Sequence, residues 1–323
     1  MGQFAACACW RGHCPGSDGL FCRFGRGAEA VVGLTVWTIV IGTTAAAACS
    51  LVGCYLVLRR LSLLGDAISH AVLPGLVAAF LITGRVGGWP AVLGALIVGV
   101  LTSVLADIVH RRTGVPEDAG LGVVFTSLFA LGVVLLGLAD GTDLDPGCVL
   151  YGLIELAPLD TAPVFGLEVP RTLLTLVPVL LITIGLFVLF WKEVQLTAFD
   201  PAHAVAAGIH AGLIHHAVLA LTAGVIVASF EAVGSILVVA MLVVPPVTAG
   251  LITRRLHHLM PMAVFFATTA ATGGTLLATW WNTSVAGMMA VVAGVQLGCL
   301  LAVSSVILGE RQSRGERGVS PGR

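Results

Sequence analysis

Residues 59–75 read RRLSLLGDAISHAVLPG and place a carboxylate, Asp66, four positions before an imidazole, His70. On an α-helix that spacing puts both groups on one face, one turn apart. A carboxylate oxygen and an imidazole nitrogen are a usable ligand pair for a divalent transition metal. Pro74 lies four residues beyond His70 and has no N–H. The His70 carbonyl therefore loses its helical partner and the helix kinks. One residue would then offer an imidazole and an unpaired carbonyl, with the Ser69 hydroxyl on a neighbouring face. Two ligands make an incomplete site, because Zn²⁺ usually takes four and Mn²⁺ takes more oxygen. Either another helix supplies the rest, or a two-fold dimer brings a second Asp66/His70 pair to a shared axis. The competing structural reading is that Asp66 caps the start of a helix and a neighbour satisfies His70.

The elements that must carry these residues follow from composition. Mean hydropathy is +1.03, 58% of residues are hydrophobic and only 10% are charged, against about 25% charged in soluble domains. The chain is thus expected to be all-α, a polytopic membrane bundle of eight or nine spans, each needing roughly 20 apolar residues. Predicted spans are 31–58, 66–83, 89–109, 119–138, 172–191, 212–229, 233–253, 260–281 and 285–308. The sixth and seventh are separated by only Ser229, Phe230, Glu231 and Ala232. Asp66 and His70 then fall in the second span. Ionisable groups there face a protein interior or a wet path, and mark a functional site by default.

Charge sets orientation and excludes one class of partner. If the spans alternate, Arg59, Arg60, Arg111, Arg112, Lys192, Arg254, Arg255, Arg311, Arg314, Arg317 and Arg323 share one side; Arg11, Arg23, Arg26, Arg85 and Arg171 share the other. The richer side is cytoplasmic by the positive-inside rule, so the N-terminus is expected outside and the C-terminus inside. That places Asp66 and His70 in the cytoplasmic half of the membrane. A net charge of −1 offers no basic face for nucleic acid. The 40 glycines suit close helix–helix approach in lipid.

Residues 1–30 stand apart. Cys7, Cys9, Cys14 and Cys22 crowd beside His13 in a spacing that matches no familiar zinc or disulfide framework. The expectation is a start assigned too far upstream or a disordered tail, with a metal site as the alternative. Cys49, Cys54, Cys148 and Cys299 read as small packing residues. At the other end, residues 309–323 read as a cytoplasmic tail.

Other segments carry weaker signals. Residues 139–170 contain Asp140, Asp143, Asp145, Glu155, Asp160 and Glu168 with no Lys or Arg, and their prolines and glycines argue for turns or a short re-entrant piece. This is either an outer acidic rim that docks a basic partner surface or an ordinary solvated loop. On the inner side, FDPAHAVAAGIHAG (199–212) has Asp200 to N-cap a short helix, Pro201 at its first position and Gly208 to end it. Such a helix presses against a cytoplasmic partner or merely starts the sixth span. Pro245 and Pro246 are expected to break the seventh span and release the carbonyls of Met241 and Leu242. A broken helix lines a transport path or serves as a packing kink, and both readings stay open. Asp107 is expected to pair with Arg111, and His215 and His216 to snorkel at the start of the sixth span.

In order and spacing over residues 31–308, RRLSLLGDAISHAVLPG, FDPAHAVAAGI and VGSILVVAMLVVPPVTAG resemble the permeases of manganese/zinc/iron-type ABC importers. The resemblance implies an all-helical permease working as a homo- or heterodimer in a prokaryotic plasma membrane. It also implies a cytoplasmic ABC ATPase and an extracytoplasmic metal-binding lipoprotein as partners. Asp66 and His70 would line the metal path, with Pro74, Pro245 and Pro246 as kink and path-lining residues. Asp200, Pro201 and Gly208 would frame the element that couples to the ATPase. No cofactor is implied beyond transient Zn²⁺ or Mn²⁺. The family tends to have Pro–Ala–Gly near the last spans, whereas Val285, Ala286 and Gly287 stand here.

The function expected is therefore import of Zn²⁺ or Mn²⁺, with Fe²⁺ behind them, by alternating access. The chain is not itself an enzyme: it lacks a GxxxxGK[ST] motif, so ATP hydrolysis belongs to another chain. A permease for an organic metal chelate is the alternative. An intramembrane metalloenzyme is a further one, but the HExxH pattern it would call for is absent.

Overall fold

A computed structural model describes residues 27–61, 63–83, 89–137, 154–164, 167–253 and 255–317. Helix α1 (Gly27–Leu58) is apolar on all sides. It ends where Arg60 takes a left-handed conformation (φ 61°) and the Leu61 N–H reaches back to the Leu56 carbonyl at 2.8 Å. This is the Schellman closure, here without glycine, and it leaves two arginines beside the negative end of the helix dipole. Then follow α2 (Leu64–Ala71), α3 (Leu73–Thr83), α4 (Trp89–Thr113) and α5 (Glu117–Gly137). Residues 154–164 and 167–170 form a 3₁₀ turn at Ala157–Leu159 and an antiparallel pair of strands, β1 (Thr161–Val164) and β2 (Leu167–Pro170), with Thr161 opposite Pro170. The remaining helices are α6 (Arg171–Leu189), α7 (Trp191–Phe199), α8 (Pro201–Ala206), α9 (Ala211–Val233), α10 (Ser235–Ile252), α11 (Leu256–Trp281) and α12 (Val285–Arg317).

Among the described residues, nine helical stretches are long and apolar enough to cross a membrane, α2 and α3 together making one of them. The chain is a multi-pass membrane protein. Core and periphery differ sharply: 72% of the first span is buried within the protomer, against 22% of α5, α6 and α12. α1 is thus the central post, packed by α10 and α11. On α11 the buried small residues Ala263, Ala267, Ala270, Ala271, Gly274 and Ala278 recur at helical spacing and let the backbones approach.

Several boundaries differ from expectation. The sixth and seventh spans part at Gly234 alone, with φ 84° and ψ 163°, a region essentially open only to glycine. Residues 229–232, expected to separate them, are helical. α10 runs unbroken through Pro245 and Pro246. Both prolines are buried, and the carbonyl of Leu242, left without an N–H by Pro246, lies against Gly53 of α1. A Cβ at position 53 would collide with that carbonyl and meet the Pro246 ring at 3.0 Å. Tertiary packing holds the helix together where the local rule predicts a break. At the end of the chain, residues expected in a tail extend α12 to Arg317. The N-terminal cysteines, Cys148, Asp140, Asp143 and Asp145 lie outside the described residues, as does Arg254.

Candidate metal site

α2 is strongly two-faced. Leu64, Gly65, Ala67, Ile68, Ser69 and Ala71 are buried, which leaves Asp66 and His70 on the opposite face. Asp66 Oδ1 and His70 Nε2 are 3.4 Å apart, with side chains 47% and 33% exposed. Asp66 is not the helix cap, because Leu63 holds that position and makes no side-chain cap bond. Its carboxylate sits in the first turn, where the helix dipole favours negative charge.

The kink falls where the proline spacing put it. α2 stops at Ala71, and α3 restarts at Leu73. At the break the Val72 N–H donates to the Ile68 carbonyl at 3.1 Å and is also turned toward the His70 carbonyl. Ser69 departs from expectation. It is 2% exposed, and its hydroxyl donates to the Asp66 carbonyl at 2.8 Å, so it turns away from the pair. Pro74 packs on α5, where a Cβ at Gly132 would meet its Cδ and N at 2.9 Å. This close approach brings α5 over the kink and, with it, Phe125 and Phe129. Their rings lie 6.4 and 6.0 Å from the His70 ring, at 30° and 80° to its plane. Sequence reasoning missed both, although phenylalanines one turn apart on an apolar helix were a signal to be weighed. The site is therefore walled on the α5 side and half open on the Asp66 side. Among the described residues, no three His, Cys, Asp or Glu side chains are arranged to hold a metal. The pair remains incomplete within the protomer described.

Asp107 sits apart from this pair. It binds Arg111 Nε at 2.9 Å through Oδ1 and faces His216 Nε2 at 3.6 Å through Oδ2. The ion pair expected there is present. His215 does not snorkel: it is 8% exposed, and its Nδ1 lies 3.3 Å from the Tyr55 hydroxyl of α1, whereas His216 keeps a partly exposed side chain. Together they tie the second turn of α9 to α1 and α4.

The short helix α8 has the geometry its residues imply. Asp200 Oδ1 accepts the His203 N–H at 2.9 Å, Pro201 opens α8, and Gly208 (φ 80°) closes it. The Ile209 N–H then returns to the Ala204 carbonyl at 2.9 Å. α8 is separate from α9, so it does not merely begin the sixth span. On the opposite side, Glu155 Oε1 accepts the Val285 N–H at 2.8 Å and so caps α12. A proline at 285, as the resemblance leads one to expect, would have no N–H to give.

Known proteins share this architecture. The manganese transport system membrane protein MntD of Bacillus subtilis (strain 168) is 42% identical over 261 residues, covering 80% of this chain and 88% of its own. The zinc transport system membrane protein TroD of Treponema pallidum (strain Nichols) is 36% identical over 263 residues, covering 81% of this chain and 72% of its own. Among solved structures, PsaBC from Streptococcus pneumoniae in complex with Fab superposes with a TM-score of 0.68 at 27% identity, over 81% of this chain and 89% of that one. The model of the ABC 3 transport family matches residues 32–304, and the chain belongs to that family.

Proposed function

We propose that the protein is the permease subunit of an ATP-driven importer of divalent transition-metal ions, Zn²⁺ or Mn²⁺ before Fe²⁺. The observation that carries this reading is the Asp66–His70 pair, 3.4 Å apart on the exposed face of a kinked helix. An oxygen and a nitrogen donor so placed suit a transition metal, and a half-open pair suits one that must leave. The ion passes along α2 and α3, Pro74 setting the bend; Pro246 acts through packing against Gly53 of α1. A second permease, identical or homologous, supplies the remaining ligands across a two-fold or pseudo-two-fold axis.

The ATPase is a separate chain that docks on α8, framed by Asp200, Pro201 and Gly208. Val205 is 64% exposed on this short helix and gives an apolar contact for such a partner. An extracytoplasmic metal-binding lipoprotein delivers the ion from the other side. The protein resides in a prokaryotic plasma membrane, N-terminus outside and C-terminus in the cytoplasm, as the distribution of basic residues directs.

The test is metal uptake in cells lacking the native gene. Asp66→Ala and His70→Ala are each expected to abolish Zn²⁺- or Mn²⁺-dependent growth and uptake while the protein still reaches the membrane. Normal uptake by both variants would end the assignment.

A further inference from the structure

We propose that Phe125 and Phe129 are positioning residues that hold the His70 imidazole with Nε2 turned to Asp66, and so set which cations pass. The inference rests on the reading of Asp66 and His70 as transit ligands. The two rings are one turn apart on α5 and share a face of that helix. The Phe125 ring is tilted 30° from the imidazole plane and the Phe129 ring stands edge-on to it. Together they restrict the ring from two directions, and both are themselves partly buried. Gly132, a few residues on, lets α5 approach Pro74 closely enough to deliver them.

The chemical consequence is selectivity. A carboxylate alone is a hard oxygen ligand, and Ca²⁺ and Mg²⁺ accept it as readily as Mn²⁺ does. Imidazole nitrogen is what favours the transition metals. A His70 ring free to swing would leave Asp66 acting as the only fixed donor of the pair. Each aromatic contact is worth about a two- to twelvefold bias toward the held orientation.

The experiment is radiolabelled Mn²⁺ and Zn²⁺ uptake in cells carrying the complete transport system, with excess Ca²⁺ or Mg²⁺ as competitor and membrane levels read by immunoblot. Phe125→Ala with Phe129→Ala is expected to raise the half-saturating concentration about tenfold and to leave the maximal rate within about twofold. It should also make uptake sensitive to Ca²⁺ at levels that do not affect the parent protein. Loss of packing alone would lower the rate without changing the order of cation preference. Phe125→Leu with Phe129→Leu keeps apolar bulk without a ring and is expected to show the same Ca²⁺ sensitivity. Phe129→Tyr keeps the ring and is expected to retain discrimination. If the alanine pair does not reach the membrane, the leucine pair decides. Parental discrimination in the leucine pair overturns the proposal. His70→Ala separates the two levels of failure. If it transports normally, the reading of His70 as a transit ligand itself falls; if it is inactive while the aromatic variants discriminate normally, only the bracket falls.

Discussion

Removing the cap of α8 is expected to uncouple ATP hydrolysis from transport. α8 has six residues, and helices that short are marginal unless something else holds them. Its described side chains bring little packing: Ala204 is buried, while Ala202, His203, Val205 and Ala206 are exposed. What holds it is the pair of ends, the Asp200 cap at 2.9 Å and the Gly208 closure. Replacing an N-cap Asp with Ala costs ~1 kcal/mol, within a range of about 0.5–2. That is roughly a fivefold fall in the ratio of formed to unformed helix. Asp200→Ala in the assembled transporter should therefore leave basal ATPase activity near the parent value and cut metal uptake several-fold. Asn caps as well as Asp, so Asp200→Asn should recover most of the uptake despite losing the charge. Faster hydrogen exchange at the His203 amide in Asp200→Ala, reversed in Asp200→Asn, would report the helix directly. If Asp200→Asn proves as poor as Asp200→Ala while His203 stays protected, charge and not capping matters and the reasoning is refuted.

Two further outcomes test how the spans are joined. Gly234→Ala should be destabilising by about 1–3 kcal/mol, because φ 84° with ψ 163° admits essentially no side chain; a lower midpoint in a detergent thermal melt is the measurement. At the other face, Glu155→Ala should destabilise by about 0.5–2 kcal/mol as α12 loses its cap. Val285→Pro removes the donor at a first helical position, where proline is welcome, so adding it to Glu155→Ala should cost little more in the same melt.

The parts of this protein legible from residue order are those whose causes are local. Apolar run length located the spans to within a few residues, because lipid leaves a helix no alternative for its backbone bonds. The Asp200–Pro201–Gly208 frame of α8 was readable for the same reason: each residue acts on backbone one turn away. So was the shared face of Asp66 and His70, a matter of helical pitch alone.

Tertiary contacts decided the rest. Pro245 and Pro246 did not break α10, because Gly53 of a helix far away in sequence gives the freed Leu242 carbonyl a close neighbour. His215 turned inward because Tyr55 stands ready to meet it, while the partly exposed His216 faces Asp107. Phe125 and Phe129 became part of the site only when Gly132 allowed α5 onto the Pro74 kink. Sequence by itself determined which groups can do chemistry and along which helix face they lie, since pitch and hydropathy act within a few residues. Which neighbours hold, neutralise or orient those groups was decided by packing between helices, where small residues far apart in the chain permit the approach.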